Sequence, residues 1–142
     1  MIGKREQRLL FYITGILDAV LVTMLFSTMS TIGHTWIIST LILHALFVYG
    51  LTDSERHRRL LDILHIFVFL VPTMALFVDN LFIKMLCVGF LIVIQYFWSI
   101  ENRCILNEKE GSEFGYGDEL DIYVKILMLG LLYQSALGNE LI

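Results

Sequence analysis

The chain has 142 residues and a formal charge of −4, with 57% of its residues hydrophobic and 17% charged, and its mean hydropathy is +0.74. That length holds one domain, and that composition is too apolar for an ordinary water-soluble one, so the expected solvent is lipid. The negative balance offers no basic surface for nucleic acid, and one proline without a Ser/Pro/Gly-rich tract gives no sign of a linker or a second domain.

The opening residues, MIGKREQRLLFYITGILDAVLVTMLFST, follow the basic-then-apolar order of a secretory leader. The apolar part is too long for one and lacks a small-x-small cleavage site, so it is read as a retained first helix over about 9–28. Gly15, Ala19, Thr23 and Ser27 recur every four residues along it, a small-residue stripe suited to close helix packing. Asp18 borders that stripe and is expected to face the bundle. After the loop MSTIGHTW, a second apolar segment spans about 32–51 and carries His44.

Arg56, Arg58 and Arg59 separate it from a third segment, about 60–78, with His65 and Pro72. A proline there has no N–H for the carbonyl of Val68, which predicts a kink with a spare acceptor. A fourth segment, about 81–100, holds Cys87 and Gln95. The fifth, about 120–138, is interrupted by Asp121 and Lys125, so a surface-lying amphipathic helix is its alternative. A helix needs about 20 mostly apolar residues to cross about 30 Å of hydrocarbon. The sequence therefore predicts an all-α, polytopic membrane helix bundle with five transmembrane helices, or four plus a surface helix, in a single domain over 1–142. Lys and Arg cluster before the first segment and after the second and fourth (Arg103, Lys109), which places the N-terminus inside.

Between the last two segments lies EFGYGDELD, residues 113–121. A potassium filter needs Thr-x-Gly-Tyr-Gly, carried by an apolar pore helix that re-enters from the outer face. Here Glu113 occupies the Thr position, and the preceding NRCILNEKEGS is polar, short and on the inner side by the charge argument. The stretch is read as a turn instead, with Gly115 and Gly117 supplying turn conformations and Asp118 capping the fifth helix.

Ionisable groups inside a membrane are costly enough to be functional candidates by default. Asp18, His44, His65, Gln95 and Lys125 form the set, each between about 9 and 15 Å from the inner boundary at 1.5 Å per residue. Every member also has a plain structural explanation. Asp18 can hydrogen-bond a neighbouring helix, the two histidines and Gln95 can act as interhelical glue, and Lys125 can pair with Asp121 one turn back while it snorkels. Beyond those, His44 and His65 could pass protons or hold a haem iron between them, although no cofactor is required by any motif. Cys87 and Cys104 read as free thiols, with no metal-ligand spacing around either. No hydrolase, zinc-protease or phosphate-loop signature occurs, so no motif argues for an enzyme, and the reading leans toward a non-enzymatic role without deciding it.

From Cys104 to Tyr133 the order CILN…E…GYG…Y…LLY resembles an uncharacterised family of small polytopic membrane proteins, whose members carry Cys-x-Leu-Thr after a hydrophobic segment, then a glutamate, a Gly-Tyr turn and a last helix. Cys104, Leu106, Gly115 and Tyr116 carry the match, and Asn107 stands where Thr is expected. The resemblance implies a turn for the Gly-Tyr-Gly run and no known activity. Three functional expectations follow. The first is an integral, multi-pass membrane protein embedded in a lipid bilayer that acts by helix–helix assembly, as a homo-oligomer or in a larger membrane complex. The second is a small proton-linked transporter or channel using Asp18 with His44 and His65. The third is a bis-histidine haem protein.

Overall fold

A computed structural model describes residues 4–27, 29–101 and 118–140. Five helices account for nearly all of them: α1 Lys4–Met24, α2 Thr31–Thr52, α3 Arg58–Met74, α4 Leu81–Glu101 and α5 Asp118–Glu140, with a 3-10 turn at Ala75–Phe77 after α3. The described residues contain no strand. Each of the five is long and apolar enough to cross a membrane, and the segment within α5, Leu120–Leu137, has the same mean hydropathy, 1.4, as that within α1. Asp121 and Lys125 therefore leave α5 no less apolar than α1.

The helix ends follow local chemistry. Ser30 precedes α2 in an extended conformation and its hydroxyl accepts from Gly33 N–H at 3.2 Å. Asn80 Oδ1 does the same for Ile83 N–H at 3.0 Å at the start of α4. Each satisfies one of the donors that a helix start leaves without a partner. The α1 helix ends at Met24, short of the expected 28, because its last donors tighten: Phe26 N–H reaches Thr23 O and Ser27 N–H reaches Met24 O. In α3 the helix continues two residues beyond Pro72 and then narrows to the 3-10 turn. The carbonyl just before the proline, Val71 O, accepts from the Trp36 indole at 3.0 Å.

The chain divides into two compact units, Met1–Val71 and Pro72–Ile142. In the first, α1 packs along α2. Gln7 Nε2 donates to Leu51 O, and Gly50 lets α3 approach so closely that a Cβ there would lie 2.8 Å from Leu61 Cδ2. Leu21, Ile37 and Leu51 are its most deeply buried large side chains. In the second unit α4 packs along α5, and the 3-10 turn sits against both. Val78, Ile83, Leu91, Val124 and Leu131 fill its core, with Cys87 as a buried free thiol.

Candidate functional site

The first unit brings two of the five candidate residues into contact. Asp18, on α1, and His44, on α2, meet with Oδ1 and Nδ1 2.6 Å apart. Because Nδ1 faces the Asp18 carboxyl group, Nε2 is the imidazole nitrogen left for another partner. Together with the Gln7–Leu51 bond, the pair forms two polar rungs of the α1–α2 packing. The pair is not sealed: 31% of the Asp18 side chain and 24% of the His44 side chain remain exposed.

His65 lies on α3, its ring edge-on to Phe69 one turn further with centroids 5.9 Å apart. A haem shared by the two histidines would need Nε2 of His44, since Nδ1 is occupied by Asp18. No group of three or more His, Cys, Asp and Glu side chains that could hold a metal ion occurs among the described residues.

In the second unit Lys125 Nζ donates to Asp121 Oδ2 at 2.5 Å, an i,i+4 pair within α5. Gln95, on α4, is close enough to act on the same carboxylate. Its buried Nε2 nevertheless has no hydrogen-bond partner of ordinary geometry among the described residues, and the same holds for Oε1 of Gln134. Gln134 was not among the residues singled out from the sequence. The available signal was a lone amide inside the run LLYQSALG, the same signal that selected Gln95. Thr73 and Tyr123, joined hydroxyl to hydroxyl, were also missed, since nothing in the order of residues shows that they share a face.

The small-residue stripe lies on the outer side of α1: Gly15, Ala19, Thr23 and Ser27 are all exposed. A Cβ built on Gly15 would meet nothing within 4 Å. Thr23 and Ser27 return their hydroxyls to Val20 O and Met24 O, each at 2.7 Å, so the stripe presents no unsatisfied hydroxyl donor. Asp18 stands at the border of this face.

Asp118 is the first residue of α5. Gly115 and Gly117 of the expected turn lie outside the described residues, as do Cys104, Leu106 and Tyr116 of the family resemblance. The chain matches no family model, no curated protein and no solved structure.

Proposed function

We propose that this chain is a multi-pass integral membrane protein, its N-terminus on the inner side, that acts by helix–helix assembly with further copies of itself or within a larger membrane complex. Supporting the bilayer as its solvent are the large apolar side chains turned outward on the helices and their ends, among them Phe26, Tyr12 and Phe77 at 88%, 72% and 70% exposure. The observation that carries assembly is a polar pair left about a quarter to a third exposed, whose Asp18 borders the open small-residue face of α1. Between helices in lipid there is no hydrophobic drive, and close van der Waals approach along small residues replaces it. A partner helix laid on Gly15 and Ala19 would also cover the exposed part of Asp18, which is costly to leave against hydrocarbon.

The test is the mass of the purified full chain in mild detergent, by light scattering. Assembled wild type, with Gly15→Leu and Ala19→Leu shifted toward the monomer, is the expected result. A monomeric wild type whose abundance and associations are indifferent to Gly15→Leu would remove the proposal.

The 2.6 Å contact supports a second reading, proton transfer through Asp18 and His44 in a small transporter or channel. Proton flux in liposomes decides it. Equal flux for wild type and Asp18→Asn rules this reading out and leaves assembly untouched.

A further inference from the structure

We infer that the end of the first unit at which α1 begins, α2 ends and α3 begins is a docking surface for the headgroups of anionic phospholipids. Three contacts gather these ends. Gln7 is bonded to Leu51 O, Gly50 admits Leu61 against the α2 backbone, and the His57 ring packs on Tyr49 with centroids 4.6 Å apart. Residues far apart in sequence are thereby collected: Lys4, Arg5 and Arg8 from α1, with Arg56, Arg58 and Arg59 from the α2–α3 turn and the start of α3.

All six are exposed, and among the described residues none of the six is ion-paired. Of the acids in this region, Asp53 accepts through Oδ1 from the backbone N–H of Arg56 at 3.1 Å and shapes the turn, while Glu55 and Asp62 stand beside the arginines without forming an ion pair with them among the described residues. Five of the six cations are guanidinium groups, in a chain whose net charge is −4. A guanidinium presents a planar fork of donors that matches two phosphate oxygens at once.

The surroundings favour lipid over other polyanions. Within two turns of the cations stand exposed apolar and amphipathic side chains, Leu9 and Tyr12 on α1 and Tyr49 on α2. Tyrosines at that position suit the membrane interface, and basic side chains at the ends of apolar helices reach the phosphate level. A nucleic acid or an acidic protein would need the basic surface to stand clear of that apolar belt.

This inference rests on the bilayer reading, so the experiment separates the two. The full chain is reconstituted in phosphatidylcholine vesicles, and its flotation with them is measured first. Spin-labelled phosphatidylserine and spin-labelled phosphatidylcholine are then compared for the fraction of each held at the protein surface. The expected result is flotation, with the serine lipid enriched by about threefold at low salt. That enrichment should fall to parity in about 0.5 M salt and in the combined Arg56→Gln, Arg58→Gln, Arg59→Gln variant. Equal retention of both labels by floating wild type overturns the headgroup surface alone, as does an enrichment that survives both salt and neutralisation. A chain that does not float overturns the bilayer reading and this inference together. The salt arm needs only wild type, so a variant that fails to fold does not stop the test.

Discussion

The two units are held together by different means. In Met1–Val71, polar contacts join residues distant in sequence: Gln7 to Leu51 O, Asp18 to His44 and Trp36 to Val71 O. In Pro72–Ile142 the helices meet chiefly through apolar side chains, and five of these, Val78, Ile83, Leu91, Val124 and Leu131, are at most 1% exposed. Polar groups here include Lys125 with Asp121 inside α5, and Gln134 Oε1, which has no hydrogen-bond partner among the described residues. The Thr73–Tyr123 hydroxyl pair and the approach of Gln95 to the Asp121 carboxylate are polar links between residues distant in sequence. The contrast shows two solutions to one problem. Between long apolar helices, a few hydrogen bonds can set register, or close packing can do so.

Each unit carries one of the chain's two tryptophans, Trp36 and Trp98. Thermal unfolding in mild detergent, followed by fluorescence in Trp98→Phe and Trp36→Phe backgrounds, therefore reads the units separately. The largest effect is expected from Leu91→Ala, which empties a fully buried position in α4. If detergent replaces much of the lost transfer term, cavity and contact loss dominate, about 2 kcal/mol, felt first by Trp98. A loss seen equally by Trp36 would mean that the units melt as one.

Next is Gly50→Leu, whose side chain must displace Leu61. The overpacking cost is about 1.5 kcal/mol, read by Trp36. An unchanged midpoint would show that the α2–α3 contact yields freely. The smallest effect is a gain. Gln134→Leu removes a buried amide oxygen that has no partner among the described residues and should raise the Trp98-reported midpoint by the equivalent of about 1 kcal/mol. A fall instead would mean that the amide is satisfied in the membrane and belongs to a site.

Much of this architecture could be read from residue order, and the reason is physical. Length and hydropathy are linear properties of a chain, so five segments long and apolar enough to cross a bilayer are visible without coordinates. The end of α1 and the narrowing after Pro72 departed from expectation by a few residues, through local bonds that compete with helix extension. Depth is linear too, which is why Asp18 and His44 could be placed at one level. Azimuth is not. Only the fold shows that these two touch, that His65 packs on Phe69 and that the stripe of Gly15 and Ala19 looks outward. The signal for Gln134 was present in the sequence, while the Thr73–Tyr123 partnership, across 50 residues, had none.

The hydroxyl groups of the helices carry a consequence for how such a chain could be built. Thr23, Thr35, Thr40, Thr52, Ser99 and Ser135 each donate to a carbonyl three or four residues back in the same helix. Delivered to a bilayer one at a time during synthesis, the helices would arrive with these donors already satisfied, and none would wait for a neighbour. Asp18 would have to wait for His44, since its partner is translated 26 residues later. The α1–α2 hairpin is thus the smallest piece of the chain in which Asp18 meets His44.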